Sequence, residues 1–319
     1  MIPVAFISDE NFIMQTSVAI TSLAKNKLED TKYKVYVIAA ECSEEAEERL
    51  KSLESLFDGI EIEIKRTGLE MYRDIKQLAH IPISCLLKFD LCDIISEEDK
   101  IIYLDGDIVV RADLSDFYSI DLGDNFLAGV PSLDLVFSEE KKLVNAGILL
   151  FDAKKMRDNN MRDILVEKRR SLGDSGSMDQ KTFNLVMKDQ IGYLPYGYNC
   201  IPGKIMGAER GTYTIDKLNS LYGTSFESSK EMVESAAIWH YATGDKPWKY
   251  SFIYGADEWF ENYKISPYAN VKLKRKNKFT AHASGIINHL KKGGIKSVLA
   301  RAVDYIKTLS GKAENKTWG

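Results

Sequence analysis

The chain has 319 residues, of which 45% are hydrophobic and 28% are charged, and its formal net charge is −4 at pH 7. This composition is ordinary for a soluble protein with a sizeable core, and it predicts one large domain, alone or with an appendage. No window approaches the run of about 20 apolar residues that would span a bilayer. The stretch Met1–Ile7 carries no basic residue. It therefore predicts a core strand rather than a secretory leader, and we expect a cytoplasmic protein.

Short apolar runs alternate with helical patterns up to about residue 195. The predicted strands are Val4–Ser8, Lys34–Ala40, Ile60–Lys65, Ile101–Leu104, Leu127–Val130, Ala146–Asp152, Ile191–Leu194 and, further along, Ala236–His240. The predicted helices are Thr16–Ala24, Ser43–Phe57, Ser84–Ile94, Met156–Arg170 and Ser177–Met187. Such alternation is typical of an α/β domain with a largely parallel sheet.

Two later regions depart from this pattern. The segment Tyr196–Glu231 contains five glycines and predicts a loop-rich functional region. Residues 271–319 contain twelve Lys or Arg and only two acidic residues, which predicts a partner with an anionic surface. Apolar residues recur at helical spacing from Ile295 to Leu309, which favours a helix in a membrane interface over nucleic-acid binding. Packing of that helix on the domain is the alternative.

The four cysteines are Cys42, Cys85, Cys92 and Cys200, and no two of them form a Cys-x-x-Cys pair. Cys85 and Cys92 lie in an apolar stretch. The pattern predicts buried thiols in a reducing compartment, with a disulfide framework as the less favoured alternative.

The most informative stretch is Lys100–Val110, in which an apolar strand ends in Asp105, Gly106 and Asp107. Residues i and i+2 of an extended chain point to the same side, so the two carboxylates can converge on one point. Ligand sites in α/β sheets lie at the carboxyl ends of strands, and Gly106 permits close approach to the backbone. Paired hard oxygens there predict a divalent cation bound together with substrate phosphates, whereas a polar Asp-Gly turn is the alternative.

The stretch Ile238–Trp248 begins as an apolar strand that ends at His240 and continues through Gly244, Asp245 and Lys246. Glycine permits close backbone approach to a phosphate, and lysine can neutralise its charge. An imidazole beside carboxylates favours Mn²⁺, with Mg²⁺ as the alternative cofactor. A purely structural histidine at a strand end is the competing interpretation.

Together with Phe6–Phe12 and Asn145–Leu150, these motifs resemble glycosyltransferase family 8, which includes bacterial lipopolysaccharide galactosyl- and glucosyltransferases and glycogenin. The motifs occur in the family's order and spacing from residue 2 to about residue 250. The resemblance implies a GT-A fold, a nucleotide-sugar-binding α/β domain, over residues 1–250, followed by a basic region over 251–319. It also implies retaining transfer of glucose or galactose from a UDP-sugar to a bacterial surface glycan, glycolipid or glycoprotein.

The same resemblance assigns roles to single residues. Asp105, Asp107 and His240 match the family's metal ligands, and Asn145, Asp179 and Gln180 match residues around the donor sugar and its anomeric carbon. Donor-binding roles are implied for Ser8, Asp9 and Asn11 near the uridine, for Lys88, Asp105 and Gly106, and for Gly244, Asp245 and Lys246 at the diphosphate. For Asp179, the ordinary preference for Asp in the first turn of a helix is the alternative.

Three departures from the family pattern leave the identity of the donor sugar open. None of them affects the predicted metal site. Lys88 replaces an arginine of many members and cannot make its planar bidentate contact. A family aspartate after the strand Leu127–Val130 has only Ser132 and Asp134 as candidates, and Gly244 lies one position later than in some relatives.

The charge change during transfer predicts a mechanism. The cation and Lys246 would stabilise the departing nucleoside diphosphate. No strong base is evident beside Asp179, and Gln180 is a poor nucleophile that would instead stabilise positive charge on the sugar. We therefore expect front-face attack by the acceptor hydroxyl, with its proton passing to the departing phosphate, rather than a covalent glycosyl-enzyme.

Two other functions compete with this interpretation. A metal-dependent nucleotidyltransferase also pairs carboxylates around a cation, but residues 1–12 contain neither the glycine nor the arginine of a phosphate-binding loop. An inactive sugar-nucleotide-binding protein would have an incomplete metal triad, and the triad of this chain is complete.

Overall fold

The computed structural model describes residues 1–76, 81–133, 142–173, 178–206 and 213–277. Its strands are β1 (Ile2–Ser8), β2 (Tyr33–Ala39), β3 (Ile60–Arg66), β4 (Lys100–Leu104), β5 (Ile108–Val110), β6 (Leu127–Pro131), β7 (Val144–Asp152), β8 (Ile191–Tyr193) and β9 (Ile238–His240). Its helices are α1 (Ile13–Lys25), α2 (Glu44–Lys51), α3 (Leu53–Leu56), α4 (Leu91–Ile94), α5 (Ser115–Ser119), α6 (Ala153–Asp158), α7 (Met161–Leu172), α8 (Met178–Val186), α9 (Pro202–Ile205), α10 (Ile215–Tyr222), α11 (Ser229–Glu234) and α12 (Ala256–Lys264). Short 3₁₀ turns occupy Glu70–Tyr72, Ile83–Lys88 and Tyr196–Tyr198.

Seven strands form one mixed sheet in the order β3-β2-β1-β4-β7-β6-β8. The first four of these run parallel, β7 is antiparallel to both β4 and β6, and β8 is parallel to β6. Because β7 runs against its neighbours, its N-terminal end lies at the same edge of the sheet as the C-terminal ends of β1 and β4. Side chains from all three strands can therefore meet at that edge.

Apolar side chains cover both faces of this sheet. Along β1, Val4 and Phe6 enter one hydrophobic cluster, whereas Ala5 and Ile7 enter a second one. Strands buried on both faces read as continuous apolar runs in the sequence, which is why β1 could be predicted. By contrast, β3 lies at the sheet edge, where polar side chains are tolerated and discourage pairing with another chain.

A second, two-stranded sheet lies beyond the main sheet and consists of β5 antiparallel to β9. In its register, Ile108 is opposite His240 and Val110 is opposite Ile238. The three-residue link from β4 to β5, Asp105–Asp107, therefore ends beside the last residue of β9. This pairing brings the two predicted motifs together.

All eight predicted strands form, and each lies within two residues of its predicted bounds. The strand predicted at Ala236–His240 joins the small sheet rather than the main one, and β5 was not predicted. Three predicted helices are divided. Ser43–Phe57 splits into α2 and α3, Ser84–Ile94 is a 3₁₀ turn followed by α4, and Met156–Arg170 spans α6 and α7. The last division occurs at Asn160, whose φ of 53° is left-handed, a conformation that asparagine tolerates better than most residues.

The prediction of a loop-rich segment over Tyr196–Glu231 is wrong for its described parts. These contain a 3₁₀ turn, α9, α10 and the start of α11. The glycines of this segment indicated loops, but the described parts form short helices. Gly223, for example, ends α10 in the left-handed conformation that favours glycine. All four cysteines are free thiols, as predicted, although Cys85 is only half-buried.

The chain beyond residue 250 continues onto the same core. Trp259 of α12 is fully buried in the hydrophobic cluster that contains Phe6. The backbone of Lys276 pairs with Lys249, and Arg275 donates to the carbonyl of Pro247. The domain division at residue 250 stays a prediction, and the predicted helix over Ile295–Leu309 lies outside the described residues. Within the described ranges, no helix is long and apolar enough to cross a membrane.

Candidate metal and donor site

Two carboxylates follow the C-terminal end of β4, which lies at the centre of the sheet. Asp105 comes directly after β4 and its N–H donates to the carbonyl of Gly147 on β7, at 2.8 Å. Asp107 directly precedes β5, and its carbonyl accepts from the N–H of Tyr241 at 2.9 Å. Backbone hydrogen bonds to β7 and to the residue after β9 thus fix both carboxylates.

Asp105, Asp107 and His240 form a compact cluster, with ligand atoms that all lie within 4.8 Å of one another. The His240 Nε2 atom is 3.2 Å from Asp107 Oδ1 and 3.7 Å from Asp105 Oδ2. Asp107 and His240 are 8% and 2% exposed, so this is not a solvated acidic patch. Two carboxylate oxygens and one imidazole nitrogen facing one point fit a divalent cation such as Mn²⁺.

The remaining oxygen of each carboxylate binds a lysine. Lys246 Nζ lies 2.6 Å from Asp107 Oδ2, and Lys88 Nζ lies 3.2 Å from Asp105 Oδ1. The hydroxyl of Tyr103 donates to the same Asp105 oxygen at 2.6 Å. Each carboxylate therefore has one oxygen held by the protein and the other turned toward His240. This division leaves one oxygen of each carboxylate facing the point where a cation would bind.

Burial and neighbouring charges move the pKa values of the two carboxyls apart. Burial alone would raise the pKa of Asp107, but its contacts with His240 and Lys246 outweigh burial and hold that pKa well below its usual value. Burial raises the pKa of Asp105, Lys88 opposes the rise, and the charge on Asp107 adds to it. Asp107 is thus the carboxylate most firmly held in its charged form.

Lys88 connects the candidate metal ligand Asp105 to Asp179 of α8. Its ammonium group contacts Asp179 Oδ2 at 2.5 Å, the carbonyl of Ala146 at 3.0 Å and Asp105 Oδ1 at 3.2 Å. An ammonium group has three N–H bonds, and three acceptors surround this one. The donor-binding role expected for Lys88 stays a prediction; its contacts are those of a link between Asp105 and Asp179.

A chain of side-chain amides runs from His240 to α8. His240 Nδ1 is 2.9 Å from Asn199 Oδ1, and Asn199 Nδ2 donates to Asn145 Oδ1 at 2.9 Å. Asn145 Nδ2 in turn donates to Gln180 Oε1 at 3.1 Å. Sequence reasoning missed Asn199, which follows the 3₁₀ turn Tyr196–Tyr198 in the glycine-containing segment. Its position beside β9, where Cys200 pairs with Trp239, could not be read from local pattern.

The cluster of Asp105, Asp107 and His240 opens into a cavity of about 510 Å³. Its walls include twelve of the residues predicted for the site, namely Ser8, Asp9, Asn11, Lys88, Asp105, Gly106, Asp107, Asn145, Asp179, Gln180, His240 and Lys246. Gly244 and Asp245 are exposed and do not line it. Ser132 is buried outside the lining, and Asp134 lies outside the described residues. The cavity thus unites the candidate metal ligands with most of the residues expected around a donor.

Two predicted donor-binding residues have additional local roles. The space beside Gly106 is taken by Phe12 and Thr16 of the protein itself, since a Cβ there would lie 2.5 Å from Thr16 Oγ1. Asp9 accepts a hydrogen bond from the N–H of Asn11 at 3.0 Å, which shapes the turn after β1.

The sequence of residues 3–251 matches the family described as Glycosyl transferase family 8. The chain belongs to this family. The predictions of the family and of the general class of enzyme are therefore confirmed.

Known proteins agree with this assignment. The chain is 28% identical over 249 residues to glycosyltransferase GlyE of Streptococcus pneumoniae serotype 4, covering 77% of this chain and 56% of GlyE. It is 25% identical over 299 residues to a lipopolysaccharide 1,2-glucosyltransferase of Escherichia coli, covering 86% of this chain and 81% of that protein. The chain spans only 22% of the probable glycosyl transferase Gly of Streptococcus gordonii, to which it is 30% identical over 172 residues.

Solved structures bear on the fold alone. The galactosyltransferase LgtC, in complex with donor and acceptor sugar analogs, superposes with a TM-score of 0.70 at 24% identity, covering 83% of this chain and 96% of LgtC. The glycosyltransferase GlyE superposes with a TM-score of 0.63 at 24% identity, covering 84% of this chain and 62% of GlyE. The predicted GT-A fold, with its mostly parallel mixed sheet, is confirmed.

Proposed function

We propose that this family member is a retaining, divalent-metal-dependent glycosyltransferase. It transfers glucose or galactose from a UDP-sugar to a hydroxyl group of a bacterial surface glycan, glycolipid or glycoprotein. The observation that carries the proposal is that Asp105, Asp107 and His240 face one point, and that this point opens into the cavity lined by Asn145 and Gln180.

The residues of the cluster are suited to a cation that is bound together with a diphosphate. Asp105 Oδ2, Asp107 Oδ1 and His240 Nε2 would hold it, and Mn²⁺ is favoured because an imidazole is one of the ligands. When bound, such a cation neutralises the charge that develops on the diphosphate leaving group. Lys246 lines the same cavity and directs two of its three N–H bonds to Asp107 Oδ2 and the Tyr241 carbonyl. Its third N–H supplies a further positive contact for a phosphate oxygen.

The environment of Asp179 supports front-face attack. Asp179 is 7% exposed and its carboxylate pairs with the Lys88 ammonium group, which leaves it poorly placed to attack the anomeric carbon. We propose that the acceptor oxygen bonds to the anomeric carbon on the face from which the diphosphate departs. The proton of the acceptor hydroxyl passes to the departing phosphate oxygen, and configuration is retained.

Gln180 contributes to this reaction through its orientation. Its side-chain oxygen accepts hydrogen bonds from Asn145 Nδ2 and from the N–H of Ala146 at 3.3 Å, which uses both lone pairs. The NH₂ end has no acceptor among the residues that the structure describes. We therefore assign Gln180 a donor-orienting role through its NH₂ group, in place of the stabilisation of positive charge that the sequence led us to expect.

The acceptor and the place of action are proposed from relatives and from the tail. The Escherichia coli relative is named as a lipopolysaccharide glucosyltransferase, which points to a surface glycan. The basic residues 272–316 would hold the enzyme on anionic lipid at the inner face of the membrane, where such acceptors are assembled. We expect no nucleic-acid partner.

A donor screen tests the proposal and separates it from its two rivals. The protein is incubated with Mn²⁺ and with UDP-glucose or UDP-galactose, and the released products are quantified. A transferase or its slow hydrolytic side reaction releases UDP from one of the two donors. Release of pyrophosphate from a nucleoside triphosphate and a sugar phosphate would instead indicate a nucleotidyltransferase. Donor binding without release of either product would indicate an inactive sugar-nucleotide-binding protein.

A further inference from the structure

Two backbone N–H groups on β7 fix the direction of two side-chain amides. The N–H of Gly147 donates to Asn145 Oδ1 at 3.0 Å, and the N–H of Ala146 donates to Gln180 Oε1 at 3.3 Å. A backbone N–H can only donate, so the atom that faces it must be the amide oxygen and not the NH₂ group. The backbone of β7 therefore determines that the oxygen of each amide, and not its NH₂ group, faces β7.

This direction continues along the chain of amides to the metal cluster. Because Asn145 Oδ1 is an acceptor, the Asn199 atom that contacts it at 2.9 Å must be the NH₂ group. The oxygen of Asn199 then faces His240 Nδ1 at 2.9 Å. An oxygen without a hydrogen can only accept, so Nδ1 must carry the proton. In a neutral imidazole, the lone pair is then on Nε2, the nitrogen that faces Asp105 and Asp107.

Reversing any one link would disrupt the arrangement. If His240 carried its proton on Nε2 instead, Asn199 would have to turn its NH₂ group toward Nδ1, which would place two amide oxygens 2.9 Å apart at Asn145. Asn199 has little freedom to escape this conflict, since it is 5% exposed. Two backbone hydrogen bonds hold the next residue, Cys200, against β9. The Cys200 N–H donates to the Ile238 carbonyl at 3.1 Å, and the Cys200 carbonyl accepts from the His240 N–H at 2.7 Å.

We propose that Asn199 is a positioning residue with two coupled tasks. It holds His240 in the form whose Nε2 is free to bind the divalent cation, and it fixes the amide of Asn145 that orients Gln180. Residues next to a metal-bound histidine commonly set its tautomer in this way. The inference rests on the proposed function for the identity of the ligand, but its structural content concerns the protonation site of one imidazole.

Two substitutions separate the tasks. Asn199→Ala removes both hydrogen bonds, and we expect Mn²⁺ affinity to fall by about 10–100-fold. Asn199→Asp keeps an acceptor for Nδ1–H but loses the donor to Asn145, so we expect Mn²⁺ affinity to be retained while the turnover number falls. A purely structural role for Asn199 would not separate affinity from turnover. Circular dichroism of each variant establishes that it is folded.

The protonation site is measured directly in the full-length protein. The chain has only four histidines, so ¹⁵N labelling of histidine and comparison with His240→Gln identify the signals of His240. With Zn²⁺ bound as a diamagnetic probe, we expect a slowly exchanging proton on Nδ1 and a metal-bound Nε2. Binding of Zn²⁺ through Nδ1 would overturn the inference, as would an Asn199→Ala protein with unchanged Mn²⁺ affinity. These readouts do not depend on transfer, so absent UDP release would count against the proposed function alone.

Discussion

Gly147 lies against the imidazole of His240, with no room between them for a side chain. A Cβ atom on Gly147 would approach Asp105 Oδ2 to 2.8 Å and His240 Nδ1 to 3.0 Å. Gly147 belongs to β7, whose register with β4 places it beside the first carboxylate. Glycine is needed here for space and not for backbone conformation, since the positive-φ glycines are at other positions.

Gly147→Ala tests this close approach. The new methyl group must displace both Asp105 and His240, so we expect Mn²⁺ affinity and UDP release each to fall by at least about 10-fold, as other disturbances around metal ligands do. Isothermal titration with Mn²⁺ measures the first quantity. Gly203→Ala is the matched control, because a Cβ there meets nothing closer than 3.9 Å and alanine favours α9. A Gly147→Ala protein that binds Mn²⁺ normally would show that the cluster is arranged differently.

Lys88→Met tests whether the buried ammonium group of Lys88 compensates the charges of Asp105 and Asp179. The substitution leaves Asp105 and Asp179 without their shared cation, and removal of one member of a buried ion pair costs about 3–5 kcal/mol in the free energy of unfolding. Urea unfolding in the presence of a chelator measures this loss. Lys264→Met is the control, because it removes an ion pair with Glu261 in which both side chains are about half-exposed. We expect it to change the free energy of unfolding by less than about 1 kcal/mol. An equal free energy of unfolding for Lys88→Met and the unaltered protein would show that Lys88 does not compensate Asp105 and Asp179.

His240→Ala tests the third ligand. The substitution should leave the fold intact while weakening Mn²⁺ binding. A ligand present at 100 times its dissociation constant stabilises the folded state by about 2.7 kcal/mol, so Mn²⁺ should raise the melting temperature of the unaltered protein. We expect this rise to shrink or disappear in His240→Ala. An unchanged Mn²⁺ titration curve would return His240 to a structural role.

The basic tail is tested in the full-length chain. Lys291→Glu, Lys292→Glu and Lys296→Glu together reverse three charges outside the described residues. Anionic lipid attracts each basic residue by about 1 kcal/mol, so the triple variant should no longer float with anionic liposomes, although UDP release persists. Liposomes of neutral lipid are the control. If the unaltered protein stays unbound at low salt, peripheral attachment is wrong.

The residues of the candidate metal site could be singled out from the sequence because they lie at the ends of apolar strands. Asp105 directly follows β4, His240 is the last residue of β9, and Asp107 lies two residues after Asp105, directly before β5. The meeting of the two strands could not be predicted, because β5 has only three residues and was hidden inside the motif. Its pairing with β9 depends on more than 120 residues of intervening chain.

The neighbours of the ligands were less predictable. Asn199 lies in a segment whose glycines suggested loops, and its contact with His240 arises only because Cys200 pairs beside β9. Lys88 was recognised, but its contacts with Asp105 and Asp179 depend on how the 3₁₀ turn and α8 pack together. Local pattern identifies side chains with reactive chemistry, whereas tertiary packing determines which of their atoms remain available.

The central claim is that Asp107 holds a cation on which sugar transfer depends. The most direct test is UDP release from UDP-glucose or UDP-galactose by chelator-treated protein, before and after addition of Mn²⁺. We expect background release without metal, restored release with Mn²⁺, and a loss of at least about 10²-fold in Asp107→Ala at the same Mn²⁺ concentration, since removal of a ligand exceeds the 10–100-fold cost of disturbing its neighbours. Full release by chelator-treated protein, or by Asp107→Ala, would contradict the claim.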